Sequence, residues 1–308
     1  MIPKARIKPP ALAPGDTVGV VAPAAAVDRE FLKRGVEELV RQGYRVKVSE
    51  RALARDRILA GTDAERAAEL TRFFADPEVG AIFAARGGYG AGRLLPLLDF
   101  DRLGSTPKIF VGFSDQTFLL NALVELSGMI CFHGPMVAKD LAGGLTERSM
   151  LHLRRLLAGE LEGFELRGRE AIWPGAAQGE LIGGCLSIVV AMLGTPYAPS
   201  FEGKILFLED TGEKAYRIDR MLVQLKQSGA LAKVAGVVFG GMRSPAEAEP
   251  EQRLIREFAA DQTADLGIPV LWGVDVGHGT ENFTVAMGAR ARIDCRTCSL
   301  SLIERAVS

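Results

Sequence analysis

The chain is poor in three residue types that often carry structure or chemistry: its 308 residues include four cysteines, three histidines and two tryptophans. The cysteines, Cys131, Cys185, Cys295 and Cys298, are too few and too scattered for a disulfide framework in a chain of this length. A structural zinc usually takes four ligands, and Cys295-x-x-Cys298 has no second pair to complete such a set. The pair reads as two thiols on one face-switching strand, and neither a metal nor another cofactor is expected. Reduced thiols suit a cytoplasmic location. Net charge is nearly absent, at −1, so no basic surface is provided for nucleic acid or anionic lipid. Long apolar runs are lacking too. The longest, Leu181 to Leu193, is interrupted by Ser187 and two glycines and falls short of the ~20 residues of a membrane span, so it reads as a buried element. Met1 to Pro14 holds Lys4, Arg6, Lys8 and four prolines without a continuous apolar stretch, so neither export nor membrane insertion is expected.

What is present describes a folded protein. Apolar residues make up 48% and charged residues 24%, enough apolar surface to offset chain entropy. The length suggests about two domains. The 35 glycines exceed the ~7% typical of soluble proteins and point to tight turns and close backbone approaches.

The first half alternates strands and helices. Thr17 to Pro23, Tyr44 to Val48, Gly80 to Ala85 and Lys108 to Phe113 read as strands. Asp28 to Gln42, Asp63 to Phe74 and Asp115 to Leu126 read as helices, the first with Phe31, Leu32, Val36, Leu39 and Val40 on one face and the second capped by Thr62 or Asp63. This alternation implies an α/β fold with a doubly wound, mainly parallel sheet over residues 1–157. Residues 158–178, rich in glycine, read as a crossing segment. Residues 179–308 form a second, mixed unit, with strand-like runs at Lys204 to Leu208, Gly236 to Phe239, Pro269 to Trp272 and Ala291 to Ile293 and a helix at Ala215 to Gln227.

Four places could carry chemistry. Gly112-Phe-Ser114-Asp115 ends an apolar strand and opens a helix, which lifts a hydroxyl out at the carboxyl end of the sheet, where ligands bind in open α/β folds. Gln116 replaces the second glycine of a full nucleophile elbow, and the alternative is that Ser114 only caps the helix. Arg86-Gly-Gly-Tyr-Gly90 follows the preceding strand, and backbone N–H groups there could form an oxyanion hole. It matches neither a dinucleotide nor a phosphate loop; the alternative is a plain tight turn. Of the histidines, His152 reads as a surface residue and His133 as a satisfied core residue. His278, held between Gly277 and Gly279, is the best candidate base. A third group must orient its imidazole. Glu209 ends an apolar strand and suits that role, with Asp210 and Glu213 as rivals.

The chain resembles the LD-carboxypeptidases, the muramoyl-tetrapeptide carboxypeptidase family whose relatives include microcin-immunity serine peptidases. The matching stretches are Pro14-Gly-Asp-Thr-Val-Gly-Val-Val-Ala-Pro23, Ala85-Arg-Gly-Gly-Tyr-Gly90 with Arg93-Leu-Leu-Pro-Leu-Leu-Asp99, Gly112-Phe-Ser-Asp115, His133-Gly-Pro135, Leu181-Ile-Gly-Gly-Cys-Leu-Ser187, Leu208-Glu-Asp-Thr211, Tyr216-Arg-Ile-Asp-Arg220 and Gly277-His-Gly279. The resemblance implies a doubly wound N-terminal domain with a smaller β-rich C-terminal domain. It implies Ser114 as nucleophile, Glu209 as orienting acid and His278 as base, with an oxyanion hole from the backbone of Asp115 and of Gly87 or Gly88. It further implies a homodimer acting on a small peptide, cytoplasmic murein tetrapeptide, cut before the terminal D-Ala. Arg86 and Tyr89 are candidates to meet that substrate. The chain departs from the family pattern where Cys185 replaces a frequent Asn, and where Glu281-Asn282 and Val285-Ala286 replace the frequent Pro-Asn and Leu-Pro, although Asn282 is kept, which puts substrate choice in question. An immunity-type enzyme acting on a peptide- or aminoacyl-nucleotide antibiotic would need an aromatic wall, for which Trp173 or Trp272 could serve. A non-catalytic binding module would need the cleft but not three triad members.

Overall fold

The computed structural model describes residues 5–160, 165–245 and 249–308. The first sheet contains β1 (Thr17–Val21), β2 (Arg45–Val48), β3 (Val79–Ala84), β4 (Ile109–Gly112) and β5 (Cys131–His133), all parallel, in the order β2-β1-β3-β4-β5. The order reverses between β1 and β3, and a crevice opens there at the carboxyl ends of the strands. Helices cover both faces. On one side lie α1 (Arg29–Arg41) and α5 (Glu147–Leu157), on the other α2 (Asp63–Ala75) and α4 (Thr117–Ala122), with the short α3 (Phe100–Ser105) beyond. Strand alternation explains the two layers: Phe83 joins Leu32, Leu39 and Leu153, whereas its neighbour Ile82 joins Leu70, Phe73 and Leu119. Asp28 caps α1 by accepting the N–H groups of Glu30 and Phe31, and Thr62 with Glu65 forms a capping box on α2.

The second sheet has eight strands. Its parallel centre is β8 (Ala176–Cys185), β9 (Ile205–Thr211), β10 (Gly236–Arg243) and β11 (Val270–Trp272). Antiparallel β13 (Arg290–Asp294), β14 (Ser299–Leu302) and β6 (Glu165–Arg167) extend one edge, and β7 (Glu170–Trp173) the other. Helices α6 (Leu186–Met192), α7 (Ala215–Gln227) and α8 (Glu249–Thr263) cover one face. The opposite face, with Ile205, Phe207 and Val238, shares a core with Leu119 and Leu120 of α4. One strand from the second half crosses over: β12 (Val285–Met287) pairs antiparallel with β5 and completes the first sheet.

Several expectations need correction. Residues 165–173, expected in a crossing segment, form β6 and β7 at opposite edges of the second sheet; residues 161–164 lie outside the described residues. Edge strands of this kind depend on partners distant in sequence, which local composition does not reveal. Cys295 and Cys298 sit in the turn between β13 and β14 rather than on a strand. His152 is not a surface residue: its Nε2 lies 2.8 Å from the Thr284 carbonyl, its ring packs edge-on against Phe283, and burial pushes it down to about 4. Among the described residues, no helix is long and apolar enough to cross a membrane.

Candidate active site

The apolar run of β4 ends at Ser114, which adopts φ +62°. A non-glycine residue in this left-handed region is uncommon and signals a constrained position. A 3₁₀ turn, Ser114–Gln116, then leads into α4. The hydroxyl is thereby presented at the crevice instead of capping a helix; no side-chain cap bond forms at either helix start here. Beside it runs the backbone of Gly87. A Cβ there would lie 3.1 Å from Ser114 Oγ and 3.3 Å from the Asp115 nitrogen, so only glycine leaves room for a reacting carbonyl at this edge.

Glu209 lies inside β9, further along than expected, and is fully buried. Its Oε2 accepts the His278 backbone N–H at 3.2 Å and stands 2.7 Å from His278 Nδ1. Burial alone would raise this carboxyl, but the charge and hydrogen bonds of His278, with His133 close by, hold it down at about 2. The rivals are engaged elsewhere: Asp210 accepts the backbone N–H of Ser187 at 2.7 Å, and Glu213 pairs with Arg217.

The loop bearing His278 is shaped around Glu209. A Cβ on Gly277, at φ +100°, would overlap the Glu209 carboxylate, which accounts for the glycine before the histidine. Asn282 Oδ1 accepts the Gly277 N–H at 3.0 Å, and Ser149 of α5 donates to Glu281 at 2.6 Å and accepts the Asn282 N–H at 3.2 Å. Glu281, a departure from the family pattern, and the retained Asn282 therefore tie this loop to the first domain. The His278 ring also packs on Phe113, centroids 4.7 Å apart.

Ser114 and His278 line one cavity of about 470 Å³, together with Arg86, Gly87, Gly88, Asp28, Phe31, Met136, Ala138 and Lys139. Arg86 Nη1 donates to the Ala26 carbonyl at 3.2 Å, and Lys139 Nζ stands 4.7 Å above the Phe113 ring. Among the described residues, neither cation forms an ion pair with a carboxylate. The cavity thus joins a hydroxyl, an imidazole backed by a carboxylate, and two cations, a set suited to acyl transfer on an anionic substrate.

Tyr89 does not join this group. The positive φ of Gly88 and Gly90 turns its half-exposed ring away, beside Arg93. Trp173 donates to Thr263 Oγ1 at 3.0 Å, and Trp272 packs on Phe239 at 5.2 Å; neither lines the Ser114 cavity. Cys185 is buried beside Ser187 Oγ at 3.3 Å and faces Asp210 rather than the cavity. His133 is buried as expected but not satisfied: neither ring nitrogen has a hydrogen-bond partner. Sequence reasoning missed Lys139 and misplaced Phe31, expected on the core face of α1 but 45% exposed at the cavity. The one available signal for Lys139 was its closeness in sequence to His133-Gly-Pro135.

Comparison with known proteins identifies the family. Residues 18–134 match the LD-carboxypeptidase N-terminal domain and residues 178–293 the LD-carboxypeptidase C-terminal domain. A probable murein peptide carboxypeptidase of Bacillus subtilis is 38% identical over 98% of this chain and 95% of its own length. The Microcin C7 self-immunity protein MccF of Escherichia coli is 28% identical over 96% of both chains. The crystal structure of muramoyltetrapeptide carboxypeptidase from Oxalobacter formigenes superposes with a TM-score of 0.81 at 30% identity, covering 93% of this chain and 97% of that one. The chain has an α/β fold and belongs to the LD-carboxypeptidase family of peptidases.

Proposed function

We propose that this protein is a serine-type LD-carboxypeptidase that removes the terminal D-Ala from murein tetrapeptide, in the cytoplasm and as a homodimer. The observation that carries this reading is the 2.7 Å contact between Glu209 and His278 Nδ1 behind a cavity that His278 shares with Ser114. Ser114 Oγ attacks the carbonyl carbon of the scissile amide while His278 Nε2 takes its proton. The Asp115 and Gly87 N–H groups, or that of Gly88, hold the oxyanion. The C–N bond breaks as His278 returns the proton to the leaving amine, and D-Ala departs. Water, deprotonated by His278, then attacks the acyl-enzyme and frees Ser114. Arg86 and Lys139 meet the terminal carboxylate.

The likeness to MccF favours a second reading, hydrolysis of a peptide- or aminoacyl-nucleotide antibiotic. The placement of Trp173 and Trp272 outside the cavity weighs against it, since no tryptophan is left there to stack on a base. The test is mass-spectrometric cleavage of L-Ala–γ-D-Glu–meso-diaminopimelate–D-Ala by the wild type and by Ser114→Ala, with EDTA present. Release of one D-Ala by the wild type alone is the expected result. No cleavage by either protein overturns the murein substrate.

A further inference from the structure

His133 is the last residue of β5 and is completely buried. Its ring sits between Phe113 and Phe207, each edge-on, with centroids 5.6 and 5.1 Å away. An imidazole in any protonation state carries at least one N–H, and a buried N–H without an acceptor is costly. Yet Nδ1 and Nε2 both lack a hydrogen-bond partner, and so does Glu209 Oε1. These orphans face each other: His133 Nε2 stands 3.6 Å from Glu209 Oε1, just beyond hydrogen-bond length. The other carboxylate oxygen, Oε2, is taken by His278. Phe113, the residue before Ser114, touches both imidazoles.

We infer that His133 is a positioning residue for Glu209: its Nε2–H donates to Oε1, fixing the carboxylate so that Oε2 points at His278 and keeping it ionised in an apolar setting. The inference rests on the triad reading above. A phenyl or isobutyl group would fill the same space between Phe113 and Phe207, so packing alone gives no reason for an imidazole here. Removing the donor has two consequences that act together. The buried carboxylate becomes easier to protonate, and while ionised it pulls harder on the His278 proton. Both raise the pH below which the Glu209–His278 pair ceases to act as a base. The other titratable and charged groups around this pair are Asp210, next along β9, Cys185, opposite Glu209 on β8, Asp140, which senses His278, Arg243, which donates to the His278 carbonyl at 3.0 Å, and Arg86 and Lys139, which line the cavity with His278. They are unchanged by the substitutions below.

The test follows the rate at which a fluorophosphonate labels Ser114 between pH 5 and 9, a readout that needs no knowledge of the natural substrate. His133→Leu is expected to slow labelling at pH 7 by about 10- to 100-fold and to move the acid limb up by about one pH unit. His133→Gln, which keeps an N–H donor of similar reach, is expected to restore the limb. A purely structural role would lower the amount of folded protein without moving the limb. Wild-type labelling and an unmoved limb in His133→Leu overturn the inference. Nitrogen-15 NMR of the histidine rings in the wild type is independent of any variant's folding: a protonated Nε2 on His133 is expected, and an unprotonated one overturns the inference. If the wild type is not labelled at all, the nucleophile reading falls, and the ring measurement decides the His133–Glu209 contact by itself.

Discussion

Glu209 Oε2 accepts two hydrogen bonds from a single residue, from the backbone N–H of His278 at 3.2 Å and from its ring nitrogen Nδ1 at 2.7 Å. The backbone donor cannot rotate, so it pins the acceptor. The ring proton then belongs on Nδ1, and Nε2 is left bare, as the proposed proton transfer from Ser114 requires. Orientation and tautomer are set by one buried oxygen.

Glu209→Gln tests this directly. An amide offers one acceptor and one donor where the site needs acceptors on both sides, so His278 loses its fixed tautomer. The expected result is a fall in kcat of about 10³- to 10⁴-fold with KM little changed, in line with carboxylate-to-amide changes in other triads. A kcat within tenfold of wild type would remove Glu209 from the triad.

Ser114 holds a left-handed conformation at φ +62°, which disfavours any residue with a Cβ. Ser114→Ala and Ser114→Gly both remove the hydroxyl, but only glycine relieves the backbone. Ser114→Gly is therefore expected to be more stable than Ser114→Ala by about 1 kcal/mol in urea unfolding, with both inactive. Equal stability would mean that the elbow carries no strain.

Much of this was legible in the chain itself. Ser114 and His278 were readable as candidates because one follows a strand and the other sits between glycines, and Glu209 because it ends the apolar run of its strand. Helix α7 was readable from its apolar spacing alone. Phe31 was not, because an aromatic on the inner face of an amphipathic helix fits a core and a cavity wall equally well. Lys139 reaches the site only because β5 and the segment after it run alongside β4. Strand β12, which draws the His278 loop onto the first sheet, is three residues long and has its partner β5 far away in sequence. Non-local pairings of this kind leave almost no trace in local composition.

Asp210 should make stability depend on pH. Burial pushes its carboxyl from the ordinary 3.8 up to about 6, against hydrogen bonds from Ser187 and Thr211. A raised acid binds its proton more tightly in the folded state, so its contribution is fully present below pH 4 and is lost as pH rises through 6, by about 3 kcal/mol. Glu209, held at about 2, acts in the opposite sense and below pH 4.5, so the two windows separate. Between pH 4.5 and 7, Asp210→Asn is expected to show a flatter dependence of its urea midpoint than the wild type. Parallel curves would show that Asp210 does not titrate in this range.

Arg86 and Lys139 bear on why the enzyme would act at a chain end. Both line the Ser114 cavity, and among the described residues neither forms an ion pair with a carboxylate, although Lys139 lies within electrostatic reach of Asp140. Asp28, the acid on the same wall, is occupied in capping α1. A free carboxylate on the substrate can take the place of the missing counter-ion, whereas an amide cannot. Lys139→Met is expected to raise KM for the tetrapeptide about tenfold with kcat nearly unchanged, the loss of roughly one charge-assisted hydrogen bond. The same substitution should scarcely affect a C-terminally amidated substrate, which the wild type is itself expected to handle poorly. Arg86→Met should behave alike, and added salt should weaken the wild type more than either variant. Equal losses on the free and amidated peptides would assign these cations to shaping the cavity instead of reading the terminus.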